Sequence, residues 1–176
     1  MNFKIDSSEI LFEGKVFDIK LDMLTYVSGN KGRREVVIHN GGAVIVPILD
    51  SGKIILVKQF RYPLQEVLYE LPAGKLDEDE DPMICAEREL KEETGYSSTN
   101  ISKLGSIYTT PGFCTEELFI YLAKDLESGS HDREEGEYGM EIFEFTLEQI
   151  DKMIMSGEIK DAKTICGISY YKNMLS

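Results

Sequence analysis

The stretch that decides the fold is residues 74–96, which read GKLDEDEDPMICAERELKEETGY. It predicts a turn followed by a helix. Asp81 suits the N-cap, and Pro82 suits the first helical position, where its missing N–H costs no hydrogen bond. Gly95 is a natural stop, because glycine readily adopts the left-handed conformation that ends many helices. We therefore expect a helix from Pro82 to Thr94.

The acidic residues of this helix gather on one face. Glu89, Glu92 and Glu93 are neighbours at helical spacing, where like charges repel by about 0.2–0.5 kcal/mol per pair. Arg88 is the cation close enough to relieve this repulsion. Another face is apolar and is expected to pack on a core: Met83, Ala86 and Leu90. Taken alone, the acidic face has two interpretations, a solvated surface or a set of oxygen ligands for a hard divalent cation.

The wider spacing favours the second interpretation. Five residues separate Gly74 from Glu80, and seven more precede the run Arg88-Glu89-Leu90, which continues through Glu92-Glu93 to Gly95. This pattern resembles the signature of the Nudix hydrolases, with Tyr96 at a position that is more often aliphatic. The resemblance implies a divalent-cation enzyme that hydrolyses a diphosphate linked to a nucleoside. It also implies an α/β (α+β) Nudix fold, with a mixed β-sheet sandwiched between helices and a small N-terminal antiparallel sheet.

Features outside the signature resemble the ADP-ribose pyrophosphatase branch of this family. Pro111 lies sixteen residues beyond Gly95, within a PGF segment followed by an acidic residue. Five further blocks occur in the order of that branch: Gly14-Lys15, Arg34-Glu35-Val36-Val37, Gln59-Phe60-Arg61-Tyr62-Pro63, Glu70-Leu71-Pro72-Ala73-Gly74-Lys75 and Asp161-Ala162-Lys163-Thr164. The resemblance therefore covers roughly residues 9 to 172.

The resemblance implies a ligand set and a cofactor. Glu89, Glu92, Glu93 and the backbone carbonyl of Ala73 would hold Mg²⁺, with Mn²⁺ as a substitute ion. Arg88 would orient the carboxylates rather than touch substrate. Glu80 is a weaker candidate ligand, because a capping or salt-bridge role would explain its position equally well.

Substrate-binding residues are expected on both sides of the signature. Arg61 could fork onto phosphate or ribose oxygens, a geometry for which guanidinium is better suited than ammonium. Glu70 and Glu116 belong to the blocks of the branch and are further candidates. Arg34 and Phe17 lie where the family contacts the adenosine half, although an apolar aromatic such as Phe17 is more often a core residue.

The general base has no fixed position in the sequence. In this branch the carboxylate that activates water lies on a loop before a late strand. Counted back from Glu148, the spacing typical of the family places this carboxylate at Gly136 or Tyr138. A shift of one residue is therefore needed to reach Glu135 or Glu137. Both remain candidates, with Glu116 as the next to test, and we expect Glu93 and Arg88 to complete the catalytic set.

Composition excludes several classes of partner. The net charge of −13 argues against a phosphate-backbone footprint or an anionic membrane surface. No apolar run approaches eighteen residues, and the first fifteen lack the apolar core of a signal peptide. The three cysteines form no CxxC pair. We expect a cytoplasmic protein with a small-molecule substrate and no nucleic-acid or membrane partner.

Domain organisation follows from the turn and strand signals. We expect an N-terminal antiparallel sheet region over 1–41 and the Nudix domain over 42–176. The apolar strands 43–49 and 53–59 are predicted to pair as a hairpin around Asp50-Ser51-Gly52. The N-terminal strands carry more apolar surface than a short sheet can cover alone. In the branch that the sequence resembles, this sheet docks across a two-fold axis and helps build the partner's substrate pocket, so the resemblance implies a homodimer.

The function predicted from the resemblance is hydrolysis of ADP-ribose to AMP and ribose 5-phosphate. Within the same class, a nucleotide-sugar pyrophosphatase acting on a substrate such as GDP-mannose is the alternative. A non-catalytic sensor that binds ADP-ribose is an alternative from another class. The intact set of Glu89, Glu92 and Glu93 argues against the sensor, since a sensor has no need to keep mutually repelling carboxylates.

Overall fold

The computed structural model describes residues 2–130 and 139–175. The strands are β1 Phe3–Phe12, β2 Asp18–Tyr26, β3 Lys31–Ile38, β4 Gly42–Pro47, β5 Ile54–Arg61, β6 Glu66–Glu70, β7 Ala73–Lys75, β8 Tyr96–Ser97, β9 Asn100–Tyr108, β10 Glu117–Lys124, β11 Glu127–Ser128 and β12 Glu141–Phe145. The helices are α1 Pro82–Thr94, α2 Leu147–Ser156 and α3 Ala162–Leu175. These elements form two compact units: a smaller one with residues up to Gly41 and residues 108–117, and a larger one with the remainder.

The smaller unit is built on the antiparallel sheet β1-β2-β3. Its β1 strand is solvent-exposed at every position. A loop segment joins the sheet beside β3, where the Val37 N–H donates to the Phe113 carbonyl at 2.7 Å and the Thr115 N–H donates to the Val37 carbonyl at 3.0 Å. The unit therefore combines a paired inner side with a long exposed edge strand that carries apolar side chains at both ends.

The larger unit is organised around the fully buried strand β4. This strand lies between β7, antiparallel, and β10, parallel, in the mixed sheet β7-β4-β10-β9. Ala43 and Ile45 pack with α1, while Val44 and Val46 pack in the cluster that includes α2 and α3. Because successive strand residues point to opposite faces, the helices cover both faces of this sheet. The predicted mixed sheet between helices is confirmed.

The predicted hairpin of strands 43–49 and 53–59 is wrong. The turn forms, since the Leu49 N–H donates to the Lys53 carbonyl at 2.9 Å, and Ile48 bridges Ile54. Beyond the turn the two strands separate, because β5 lies in another sheet, between β12 and β6. β4 is already paired with β7 and β10, and β5 with β12 and β6, so neither has an edge left for the other.

The apolar face of α1 differs from its prediction at one position. Ala86 and Leu90 are fully buried as expected, but Met83 is 41% exposed and Cys85 is buried instead. Met83 is the second residue of the helix, and whether a residue in the first turn is buried depends on which other elements reach it. Among the residues that the structure describes, no helix is long and apolar enough to cross a membrane.

Candidate active site

A cavity of about 620 Å³ in the larger unit lies beside α1, β7 and the end of β5. Arg61 lines it on one side, and the acidic face of α1 lines it on the other. The full lining is Gln59, Phe60, Arg61, Tyr62, Pro63, Ala73, Gly74, Lys75, Asp77, Arg88, Glu89, Glu92 and Glu93. The structure thus brings the predicted metal ligands and one predicted substrate residue to the same space.

Local capping fixes both ends of α1. The Asp81 carboxylate accepts a hydrogen bond from the Met83 N–H at 2.8 Å, and Pro82 occupies the first turn. At the other end Gly95 has a φ of 75° and donates its N–H to the Lys91 carbonyl at 2.9 Å. Both predicted ends of the helix are confirmed. The rotation of the helix follows from its packing, since Cys85, Ala86 and Leu90 are buried against β4 and the acidic face is left toward the cavity.

Two carboxylates of α1 lie buried against the backbone of β7. Glu89 and Glu93 are only 6% and 2% exposed. The Ala73 N–H donates to Glu93 Oε2 at 3.1 Å. A Cβ on Gly74 would lie 1.7 Å from Glu89 Oε1, so glycine is required for this carboxylate to approach the backbone. The signature glycine Gly74 and the signature glutamate Glu89 therefore lie against each other, although they are far apart in the signature.

Arg88 links the carboxylates to one another and to β7. Its Nη1 donates to Glu89 Oε1 at 2.6 Å and to Glu92 Oε2 at 3.0 Å, and its Nε donates to Glu80 Oε1 at 3.0 Å. Its Nη2 donates to the Lys75 carbonyl at 3.2 Å. We call Arg88, Glu80, Glu89 and Glu92 the Arg88 cluster. Its geometry supports the predicted orienting role of Arg88 and the salt-bridge alternative for Glu80, whose pKa the Arg88 hydrogen bonds lower.

The donor set fits a hard divalent cation. The cluster presents oxygen donors only, and one cation faces three carboxylates, with the buried Glu93 carboxylate beside them. Within residues 2–130 and 139–175, no three Asp, Glu, His or Cys side chains already converge in metal-ligand geometry. Instead Glu89 and Glu92 accept hydrogen bonds from Arg88. Ion binding would therefore require these two carboxylates to turn from the guanidinium toward the ion.

A second charged group holds Arg61 at the cavity. Arg61 Nε donates to Glu70 Oε1 at 2.7 Å and Nη2 donates to Glu70 Oε2 at 2.5 Å, a bidentate fork. Lys163 Nζ donates to the same Oε2 and lies 3.0 Å from Asp161 Oδ1. We call these four residues the Arg61 cluster. Burial raises the pKa of Glu70, but the two cations outweigh burial and the net pKa is lowered.

Cys85 is a neighbour of the site that sequence reasoning did not assign. Its thiol is fully buried and lies 3.7 Å from the Gly74 carbonyl and 3.6 Å from the Lys75 carbonyl. Burial is the largest cause that raises the pKa of this thiol to about 12. Cys85 is therefore a neutral packing residue between α1 and β7.

Three predicted substrate residues lie in the smaller unit. Arg34 donates to the Tyr26 hydroxyl at 2.5 Å, with its guanidinium carbon 5.9 Å from the centre of the Tyr26 ring. Phe17 is 40% exposed, which is more than a core aromatic would be, and its ring centre lies 6.3 Å from that of Phe12. Glu116 Oε2 accepts a hydrogen bond from the Thr109 hydroxyl at 2.7 Å. Their roles stay predictions.

Both candidates for the general base, Glu135 and Glu137, lie outside the described residues. Lys163 is the site-linked residue whose role sequence reasoning missed. The sequence shows Lys163 only as part of the block Asp161-Ala162-Lys163-Thr164 that resembles the family. No local pattern connects it to Glu70, which lies 93 positions earlier. Gln59, Phe60 and Tyr62 also line the cavity, and the sequence assigns them no role. Their block flanks Arg61, which is the one signal that points to them.

Comparison with known proteins agrees with this geometry. The model of the NUDIX domain matches residues 39–166. The chain belongs to the Nudix family. It is 41% identical over 169 residues to a Bacillus subtilis (strain 168) protein named ADP-ribose pyrophosphatase, covering 95% of this chain and 91% of that one. It is 33% identical over 152 residues to a Salmonella typhimurium protein named GDP-mannose pyrophosphatase, covering 78% and 76%.

The Nudix fold is also seen in solved structures. A crystal structure described as an ADP compounds hydrolase superimposes with a TM-score of 0.89, covering 99% of this chain and 95% of that one. The two sequences are 20% identical, so this likeness concerns the fold. The chain is thus a Nudix hydrolase whose signature residues lie together at one cavity.

Proposed function

We propose that this protein is a Mg²⁺-dependent ADP-ribose pyrophosphatase that forms AMP and ribose 5-phosphate. The observation that carries the proposal is the pair of buried carboxylates, Glu89 and Glu93, packed against Ala73 and Gly74 in a cavity that Arg61 also lines. The Bacillus subtilis relative supports the choice of ADP-ribose by its name and its 41% identity. Mn²⁺ is the substitute ion in this proposal.

The metal-binding residues in this proposal are Glu89, Glu92, Glu93 and the carbonyl of Ala73. When bound, a divalent cation would neutralise diphosphate charge and acidify water. Hydrogen bonds from Arg88 orient two of these ligands. Arg88 keeps the carboxylates of Glu89 and Glu92 on the cavity side of α1 until an ion arrives.

The remaining chemistry belongs to the chain's own side chains. Arg61 binds an oxygen of the diphosphate or of the adjoining ribose, because its fork with Glu70 leaves Nη1 outside that fork. Glu135 or Glu137 takes a proton from the attacking water. The water oxygen then forms a bond to one phosphorus, and the bridging P–O bond breaks with its electron pair leaving on the other phosphate. The products are AMP and ribose 5-phosphate.

One substrate panel tests this proposal. The purified protein with Mg²⁺ is given ADP-ribose, GDP-mannose and dinucleoside polyphosphates, and product release is followed by chromatography. We expect the highest kcat/KM with ADP-ribose, with AMP and ribose 5-phosphate in equal amounts and no turnover after chelation by EDTA. Absence of ADP-ribose hydrolysis under any divalent cation would defeat the proposal.

A nucleotide-sugar pyrophosphatase is the second candidate function. It is favoured by the Salmonella typhimurium relative named GDP-mannose pyrophosphatase. Both substrates present a diphosphate between two sugars, so the Arg61 and Arg88 clusters suit either of them. A higher kcat/KM with GDP-mannose in the same panel would select this function.

The general base is tested by two matched variants, Glu135→Gln and Glu137→Gln. We expect one of them to lower kcat by about 10²–10⁴-fold, the usual contribution of a general base, without weakening Mg²⁺-dependent substrate binding. The other variant serves as the control. If both retain full activity, the base lies elsewhere and Glu116 is the next residue to substitute.

The homodimer is also part of this proposal. In the smaller unit, β1 exposes Ile5, Ile10, Leu11 and Phe12 by 43–51% each. Exposed apolar side chains on an edge strand promote association or aggregation unless another surface covers them. We propose that a second copy covers it across a two-fold axis, and that Arg34 and Phe17 then reach the adenosine bound by the partner.

Subunit complementation tests this assembly. Mixing an Arg34→Ala variant with a Glu93→Gln variant should restore part of the activity, because each heterodimer regains one intact site. Sedimentation should give a dimer at micromolar concentration. A monomer, or no rescue despite proven subunit exchange, would contradict the assembly.

A cytoplasmic location completes the proposal. Cys85, Cys114 and Cys166 are all free thiols, the form that a reducing compartment maintains. Fractionation of the source cells followed by an activity assay would test it, and activity confined to a secreted fraction would overturn it.

A further inference from the structure

Glu70 is a fully buried carboxylate that sequence reasoning placed among the substrate-binding residues. Its side chain is only 1% exposed, and it is not among the residues that line the cavity. Its two oxygens accept hydrogen bonds from Arg61 and from Lys163. Arg61 by contrast has a side chain that is 39% exposed and lines the cavity. Of these two hydrogen-bond partners of Glu70, Arg61 lines the cavity and Lys163 does not.

Lys163 is held in place from the first turn of α3. Its Nζ lies 3.0 Å from Asp161 Oδ1, and its side chain is only 13% exposed. The other oxygen of Asp161 accepts from the Thr164 N–H at 2.9 Å and from the Thr164 hydroxyl at 2.6 Å. Lys163 therefore has little freedom to leave Glu70.

The same turn of α3 also anchors the chain next to Glu70. The Thr164 Oγ1 accepts a hydrogen bond from the Leu71 N–H at 2.8 Å, and Thr164 is fully buried. Residues 70 and 71 are thus tied to residues 161–164 by both a side chain and the backbone. Two residues later the chain reaches Ala73, in the wall of the cavity. The start of α3 consequently sets the position of one cavity wall.

The charges explain why Lys163 is needed in this arrangement. Glu70 is buried and carries Arg61 in a bidentate fork, which on its own would neutralise the guanidinium. Lys163 donates to the same carboxylate, so two cations share one buried anion. Asp161 balances Lys163. Glu70 Oε2 is thus shared between Arg61 and Lys163, and Lys163 holds the carboxylate in the orientation in which its fork presents Arg61 to the cavity.

We propose that Lys163 is a positioning residue for substrate binding, acting through Glu70 on Arg61. The proposal rests on the function proposed above, since it concerns the binding of the diphosphate substrate at the same cavity. Lys163 touches neither substrate nor the signature carboxylates in this scheme. Loss of the Lys163 ammonium would let the Glu70 carboxylate reorient, and the Arg61 guanidinium hydrogen-bonded to it would move as well.

The test is a double-mutant cycle on kcat/KM and KM for ADP-ribose with Mg²⁺. Lys163→Met removes the charge and keeps the length of the side chain. We expect kcat/KM to fall by about 10- to 100-fold, mostly through KM, which is the range for losing a hydrogen bond to a charged group. In an Arg61→Gln background the same change should have no further effect, because the path from Lys163 to substrate is already broken.

Lys160→Met is the matched control. Lys160 lies three residues away, with its side chain 64% exposed and its Nζ 3.7 Å from Glu66. Its kinetic parameters should equal those of the parent. Lys163→Arg, which keeps a cation able to donate to Glu70, should recover most of the KM.

The outcomes separate this inference from the proposed function. If the parent protein does not hydrolyse ADP-ribose, the proposed function fails. If the parent is active and Lys163→Met leaves KM unchanged, or its penalty adds in full to that of Arg61→Gln, the positioning role is overturned. Should Lys163→Met fail to fold, Lys163→Gln completes the same cycle, since it keeps a donor for Glu70 without the charge.

Discussion

The Arg88 cluster and the Arg61 cluster are two arginine networks at one cavity, the first with an excess of negative charge and the second with balanced charges. Arg88 faces three carboxylates, so its cluster carries an excess of negative charge. The Arg61 cluster pairs two cations with two carboxylates. The first arrangement suits recruitment of a cation, and the second suits presentation of a cationic side chain to an anion. In the proposed function, holding the cation and contacting the diphosphate are therefore divided between the two clusters.

The two clusters also differ in how they are assembled. All members of the Arg88 cluster lie on α1 or in the turn just before it, within thirteen positions. The members of the Arg61 cluster come from β5, β6 and the start of α3. Substitutions in the first cluster should therefore act mainly on activity. Substitutions in the second should act on both activity and stability, because the residues of this cluster also connect elements that are distant in sequence.

The largest expected effect is that of Glu93→Gln in the acidic group next to Arg88. The change keeps the size and helix propensity of the residue but removes a ligand charge, so kcat/KM for ADP-ribose should fall by about 10³-fold or more. Circular dichroism should report an unchanged fold. Glu87→Gln, at an exposed position of the same helix, is the control and should leave activity intact. Activity of Glu93→Gln near that of the parent would refute the ligand assignment.

A smaller effect is expected for Arg88→Met. This change leaves every carboxylate in place but removes the donor that orients Glu89 and Glu92, so kcat/KM should fall by about 10- to 100-fold. The Mg²⁺ concentration for half-maximal activity should change as well. Lys91→Met, which removes an exposed cation from the same helix, is the control. Equal losses in the two variants would mean that bulk charge on the helix, rather than orientation, is responsible.

The smallest expected effect is on stability and concerns Glu70→Gln. Replacing this buried, charge-paired group should lower the free energy of unfolding by about 1–3 kcal/mol near neutral pH, as measured by urea denaturation. Glu66→Gln, in an exposed pair with Lys160, should change it by no more than about 0.5 kcal/mol. A similar loss of unfolding free energy in both variants would show that the buried pairing of Glu70 stabilises the fold no more than the exposed pair of Glu66.

The pH dependence of that effect has a defined sign. The pKa of Glu70 in the folded protein lies below its ordinary value of 4.5, because the pairing with Arg61 and Lys163 outweighs burial. Its stabilising contribution is therefore present above the unfolded pKa and is lost as the pH falls through the folded pKa. The parent should lose stability on acidification more steeply than Glu70→Gln in this range. Parallel curves for the two proteins would contradict the assigned pairing.

Prediction from sequence succeeded where the physical cause is local. Asp81, Pro82 and Gly95 act within a few residues of the helix ends that they fix, so the bounds of α1 can be predicted from this short segment alone. The period of the helix likewise places Glu89, Glu92 and Glu93 together. Prediction failed at Met83, since whether the first turn of a helix is covered depends on which other elements reach it.

The sequence by itself determined the signature helix, the acidic face, the Nudix resemblance and the two apolar strands that flank Asp50-Ser51-Gly52. Tertiary structure decided which strands are neighbours and which charges meet. β4 and β5 are joined by a tight turn but belong to different sheets, because each finds its partners elsewhere in the chain. Lys163 meets Glu70 across 93 positions for the same reason. Capping and helical periodicity act over a few residues, whereas strand pairing and buried ion networks depend on where the whole chain has been folded.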